Sequence, residues 1–205
     1  MLIRILAATG LLALGTGLAP AQSAGPGTST PAPAPSTPPA AGGAAMPTSP
    51  ANSDMKEWQV AKAAKIGLPQ ALSAAESQGE EKGGRAIDAD FERADNEDPA
   101  HYSVKVVYPS GKLVEYGINA DSGELYTTEN QPIERYFTRL KPDDFNNAKT
   151  PLKDALAAAE RKAGGGKAYE AEVEKDGSAV RYQIKVAGAD AEQTVTIGPD
   201  GVVVD

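Results

Sequence analysis

The stretch LPQALSAAE at residues 68–76 returns as LKDALAAAE at residues 152–160. A repeat constrains a fold more than any other sequence signal, because both copies must satisfy the same structural demands. Leu68, Ala71, Leu72 and Ala75 fall at i, i+3, i+4 and i+7, and so do Leu152, Ala155, Leu156 and Ala159. That spacing lays one narrow apolar stripe along a helix. The stripe is partly alanine, so each helix must lie close against something flat. Thr150 is placed to cap the second helix, with Pro151 at its first position; Pro69 does similar work in the first.

The flat surface follows in both copies. In RAIDADFER, Ile87, Ala89 and Phe91 alternate with Asp88, Asp90 and Glu92; in KAYEAEVEK, Tyr169, Ala171 and Val173 alternate with Glu170, Glu172 and Glu174. A period of two marks a strand with one dry face and one wet face. A second strand carries Tyr102, Val104 and Val106, matched by Tyr182, Ile184 and Val186. A third carries Val114, Tyr116 and Ile118, matched by Val195 and Ile197. Turn residues separate them: Asn96 to Pro99, Pro109-Ser110-Gly111, Asp176-Gly177 and Gly188. Each copy then closes on a glycine turn, Asp121-Ser122-Gly123 or Pro199-Asp200-Gly201, leading into a short last segment. The expected fold class is α+β: two tandem units, each a helix on a three-stranded antiparallel meander. Units of this size lie near the lower limit for folding alone, so contact between them would steady both.

The rest of the chain divides around this pattern. MLIRILAATGLLALGTGLAPA has the form of a signal peptide, with Arg4 before an apolar run and an A-x-A site at Ala19-Pro20-Ala21. Cleavage is expected after Ala21, with Ala24 the next choice. Gly and Thr interrupt the run, which is short for a membrane span. No membrane span is therefore expected after cleavage. Loss of Arg4 takes the formal charge from −8 to −9. Residues 22–52, free of charge and built from Pro, Ala, Gly, Ser and Thr, read as a disordered linker. The first unit is expected over 53–127, a bridging segment over 128–149 and the second unit over 150–205. Ser53 is placed to cap a helix in DMKEWQVAKAAKIG, with Met55, Trp58, Ala61 and Ala64 on one face, as part of the first unit. In the bridge, Ile133, Tyr136, Phe137 and Leu140 define a short helix opened by Pro132 and stopped before Pro142. Its stripe is expected in the groove between the units.

Chemistry is sparsely represented. The acidic balance argues against nucleic acid and against an anionic membrane face. The chain has no cysteine, which excludes disulfides and lipid attachment at a processed cysteine, and it has one histidine. His101 opens a strand and should point away from the core, exposed. Ser53-Asp54-Met55-Lys56 matches an S-x-x-K string, but a serine just before a helix reads as its cap. Ser110-Gly111-Lys112 lacks the rest of a phosphate loop. Asp88, Asp90 and Glu92, with Asp95, Glu97 and Asp98 beyond, could attract calcium, yet the glycine of a calcium loop is missing. A solvated acidic face that discourages sheet aggregation accounts for the same residues. No catalytic, cofactor-binding or metal-ligating residue is assigned.

Ala71-Leu72 with Ala75, the strand Tyr102-Ser103-Val104-Lys105-Val106 and the closing Asn119-Ala120-Asp121-Ser122-Gly123-Glu124-Leu125 together resemble the PepSY domain. The second copy is a degenerate version: Ala155-Leu156, Tyr182-Gln183-Ile184-Lys185-Val186 and Pro199-Asp200-Gly201-Val202, without the closing Gly-Glu. The resemblance covers roughly residues 66–127 and 150–204. PepSY domains occur in propeptides of thermolysin-like metalloproteases and in many exported bacterial proteins. The resemblance implies a noncatalytic module that restrains peptidases outside the cytoplasm, in the periplasm or secreted. It carries over no catalytic residue. The partner it implies is a peptidase or another envelope protein. The alternative is a structural or ligand- or ion-sensing envelope protein without peptidase contact.

Overall fold

Alternation along the strands and the apolar helix stripes meet in one antiparallel sheet, seen in a computed structural model that describes residues 54–204. The signal peptide, the linker and Ser53 lie outside the described residues. The chain runs α1 (Glu57–Ala63), α2 (Leu68–Glu76), β1 (Arg85–Glu92), β2 (His101–Val107), β3 (Leu113–Asn119) and β4 (Leu125–Asn130). It continues with α3 (Pro132–Phe137), a 3-10 turn at Pro142–Asn147, α4 (Leu152–Lys162), β5 (Lys167–Asp176), β6 (Ala179–Ala187), β7 (Glu192–Ile197) and β8 (Val203–Val204). The eight strands lie in the order β4-β3-β2-β1-β5-β6-β7-β8. Each half of the sheet is a meander, and the halves join where β1 pairs antiparallel with β5. The short segments after the two glycine turns are fourth strands, β4 and the two-residue β8, so each meander is longer than the expected three. Among the described residues no helix is long and apolar enough to cross a membrane.

Helices α2 and α4 cover the dry face. Leu68, Ala71, Leu72 and Ala75 are buried on α2, and Ala155, Leu156 and Ala159 on α4. They press on Ala89, Phe91, Tyr102, Val104, Ala171, Val173, Tyr182 and Ile184, all 4% exposed or less. The alanines matter, because small side chains let a helix approach a sheet closely while still excluding water.

Equivalent contacts recur in the two halves. Tyr102 Oη donates to Ile66 O at 3.2 Å, and Tyr182 Oη donates to Thr150 O at 2.8 Å. Both carbonyls lie two residues before a helix. Glu76 at the end of α2 accepts from Ala86 N, and Glu160 on α4 accepts from Ala168 N, each at 3.0 Å. The residues that follow, Ile87 and Tyr169, are β-bulges in their ladders. A bulge turns its extra residue to the other side of the sheet. The closing turns also match, with Gly123 at φ 77° and Gly201 at φ 82°, the left-handed region that glycine enters without strain.

Three local expectations change. Pro151 is the cap residue of α4 and the helix begins at Leu152, because Pro151 keeps an extended ψ of 151°. Helix α1 covers only Glu57–Ala63 and rests mainly on β5 and β6, with a lighter contact on β1. It therefore braces the second half more than the first. Ile133 on α3 is 78% exposed rather than buried in a groove. Helix α3 instead folds back over β3, held by Glu134 on Lys105 and by Arg135 on Gly111 O. Leu140, just beyond it, is buried.

Candidate functional site

The line where β1 meets β5 organises the wet face. Ala89 and Ala171, matched positions of the sequence repeat, pair with each other across this line. Asp88 faces Glu172, and the same register sets Asp90 opposite Glu170. The alternation that predicted two separate acidic faces thus brings four carboxylates to one seam. Lys105 reaches Asp88 and Glu134, both at 2.9 Å, and Lys185 reaches Glu170 at 2.5 Å. Burial disfavours the Lys105 charge, but hydrogen bonds to Asp88 and Glu134 outweigh it and raise its pKa.

This seam is not the freely solvated face expected from sequence. Asp88 and Glu170 side chains are 26% and 23% exposed. Burial and the charges of Asp88 and Glu170 push Asp90 up to about 7, against smaller pulls from Lys105 and Lys185. Burial and neighbouring carboxylates also raise Glu172 and Glu57. Glu57 reaches this group from α1. Desolvation of paired carboxylates favours their protonated forms, and two lysines cannot neutralise four acids. Among the described residues no three side chains converge in a way that could hold a metal ion.

His101 lies on the wet face, as alternation requires, but only 8% exposed. Tyr126 of β4 covers it, ring centroids 5.5 Å apart. Its Nδ1 donates to Pro99 O at 2.8 Å, and Nε2 stands 3.8 Å from a Glu92 oxygen. The bond to Pro99 O holds the ring in place. The nearby Ser103 hydroxyl donates to Glu115 at 2.8 Å. Asp95, Glu97 and Asp98 form a closed turn in which Asp95 accepts from the other two backbone amides, each at 2.8 Å, and these bonds lower its pKa.

Two clefts open on the helix side. One, of about 310 Å³, lies between α2 and α4 and is bordered by Leu72, Glu76, Arg85, Phe145, Leu152 and Tyr182. The other, of about 350 Å³, lies beside β4, between Leu125 and Thr128 and the loop carrying Glu80 and Glu81. Its floor holds the Tyr108 and Tyr116 hydroxyls, hydrogen-bonded to each other at 2.8 Å. Sequence reasoning missed both clefts, since neither follows from the period of a single element. Strand β4 carried the one available hint, an uncharged LYTT run beside a sheet.

Residues 65–126 match the PepSY family model, described as peptidase propeptide and YPEB domain. The matched span takes in α2 and β1 to β3. No curated protein matches the chain significantly. Among solved structures the chain is similar to a candidate lipoprotein from Clostridium difficile 630, at 19% identity and a TM-score of 0.37, over 60% of this chain and 81% of that one. That likeness is too loose to support more.

Proposed function

We propose, from the match of residues 65–126 to the PepSY model, that the chain is an exported, noncatalytic binding module whose partner is a peptidase of the cell envelope. The carrying observation is the family itself, whose description names peptidase propeptides. We read residues 150–204 as a second, degenerate PepSY-like unit. The recurring tyrosine–carbonyl bonds, the paired bulges and the matching glycine turns support that reading. Export is supported by the leader, whose arginine, apolar run and A-x-A site have the form of a cleaved signal. A noncatalytic role agrees with the setting of His101, which is held by a backbone carbonyl and covered by a tyrosine.

The alternative is a ligand-sensing envelope protein without peptidase contact, favoured by the cleft between α2 and α4. Capture from envelope extract with the chain from Gln22 onward separates the two, followed by titration of the captured peptidase with the pure chain. Recovery of a peptidase and dose-dependent loss of its activity support the first reading. Recovery of wall fragments or ions, with peptidase activity unchanged, overturns it.

A further inference from the structure

The two ends of the sheet differ. β8 is a pair of residues, whereas β4 presents six, all exposed, with one charge among them at Glu129. Natural edges are usually blunted by lysine, proline or a covering element. Here the strand has neither residue, and the helix that follows it, α3, packs on β3. A bulge disturbs the ladder near Tyr126, leaving Thr127 to Asn130 in regular register.

That register fixes which backbone groups are free. Gln131 N donates to Leu113 O at 3.0 Å, so the 131–113 pair is of the hydrogen-bonded type. Pairs alternate in an antiparallel ladder. Glu129 and Thr127 therefore bond toward β3, and Thr128 and Asn130 turn their N–H and C=O groups outward. Thr128 also borders the cleft whose rim carries Glu80 and Glu81, with Lys112 the cation on its lining. A residue set opposite Thr128 on an added strand would send its side chain to that same face, toward the two glutamates.

We propose that β4 is a docking edge that takes up an extended, lysine- or arginine-bearing peptide segment as a ninth strand. Thr128 and Asn130 supply the backbone hydrogen bonds, and the Glu80–Glu81 rim selects the basic side chain. Strand addition gains affinity from main-chain bonds and specificity from alternate side chains. A second copy of this chain is the poorer occupant, since its formal charge of −8 opposes self-association. The inference rests on the protein-binding reading above and names where and how that partner is held.

The probe is a fluorescein-labelled Thr-Lys-Thr-Lys-Thr-Lys peptide, read by anisotropy against the mature full-length chain. Its comparators are the Thr-Glu counterpart and a version N-methylated at every lysine. Expected are saturable binding of the lysine peptide, binding of the glutamate peptide at least fivefold weaker, and none with the N-methylated one. Thr128→Pro should weaken binding at least tenfold. Its ring replaces an amide that faces solvent, a position where an edge strand tolerates proline. Glu80→Lys should erase the preference for lysine. The inference is overturned by failure of the lysine peptide to bind at millimolar concentration, by equal binding of the N-methylated peptide, or by dimers of the wild-type chain that Thr128→Pro splits. Undiminished peptidase inhibition by Thr128→Pro overturns strand addition while leaving the binding-module reading in place. Peptide binding at β4 without inhibition of any captured peptidase supports the edge and overturns that reading.

Discussion

Leu72 and Leu156 occupy equivalent places in the repeat, yet their surroundings differ. Leu156 is 0% exposed, whereas Leu72 is 5% exposed and borders the cleft between α2 and α4. Truncating either to alanine removes three carbons, a transfer loss of about 2.4 kcal/mol at roughly 0.8 kcal/mol per buried methylene. What separates the two is the space left behind. A closed site adds a cavity penalty, which takes such substitutions to about 5 kcal/mol. At Leu72 the new space merges with one already open to water, so the penalty is small. Leu156→Ala should therefore destabilise by about 3–5 kcal/mol and Leu72→Ala by about 2–3 kcal/mol. Because the sheet runs without a break through the β1–β5 seam, each variant should still unfold in one transition. Urea unfolding followed at once by far-ultraviolet circular dichroism and by Trp58 fluorescence is the assay. A silent Leu156→Ala would mean that the second half is not a folded equivalent of the first. Two separated transitions would refute the continuous sheet as a cooperative unit.

The seam makes a pH prediction. Asp90 titrates near 7 when folded against an ordinary value of 3.8, so the folded chain holds the extra proton and is stabilised below about pH 4. That stability drains away as pH rises toward 7. Partial exposure screens the effect to about 1–2 kcal/mol, and Asp90→Asn should flatten the profile of melting temperature between pH 4 and 8; an unchanged slope would count against it. Gly84→Ala brings a Cβ to 2.6 Å from Tyr108 and 2.8 Å from Val106, and Gly166→Ala brings one to 2.7 Å from the Ala187 carbonyl. Both should cost about 1–3 kcal/mol in urea unfolding, Gly166→Ala more, because a backbone oxygen yields less readily than a side chain. Tyr182→Phe leaves Thr150 O without its donor and should cost about 1–2 kcal/mol, as should Tyr102→Phe for Ile66 O. A neutral result in thermal unfolding would mean that these hydroxyls do not anchor the helix starts.

What was legible in the sequence was whatever a single element encodes. The stripes through Leu72 and Leu156 placed α2 and α4, and the period of two through Ala89 and Ala171 placed β1 and β5 with the correct face inward. Alternation does not say which strand edge finds which, so the pairing of β1 with β5 was hidden. With it was hidden the meeting of Asp88, Asp90, Glu170 and Glu172. His101 shows the same limit. Its face was readable, but its cover, Tyr126, comes from a strand whose LYTTEN sequence has no clear apolar period. The bulges at Ile87 and Tyr169 misled more subtly. Each inserts a residue that an unbroken alternation assigns to the dry face, and Tyr169 instead turns its hydroxyl to Glu192 with Glu57 nearby.

The seam sets apolar closure against charge. On the dry face, Ala89 and Ala171 are wholly buried, and α2 touches β5 as well as β1 and β2. On the wet face, α1 spans β1, β5 and β6, and Lys62 at its end donates to Gly188 O at 2.7 Å. Two helices from the N-terminal half thus bridge to the second half, one on each side of a ladder whose carboxylates repel. Burial of the alanine face does not change with pH, whereas the repulsion grows as Asp90 loses its proton. The seam is therefore tightest in mild acid. At neutral pH the halves depend on the bridges made by α1 and α2, so truncating Trp58, buried on α1, should weaken the chain more at pH 7 than at pH 5. Equal losses at the two pH values would show that the packing of α1 is independent of the seam's charge and does not hold the seam closed.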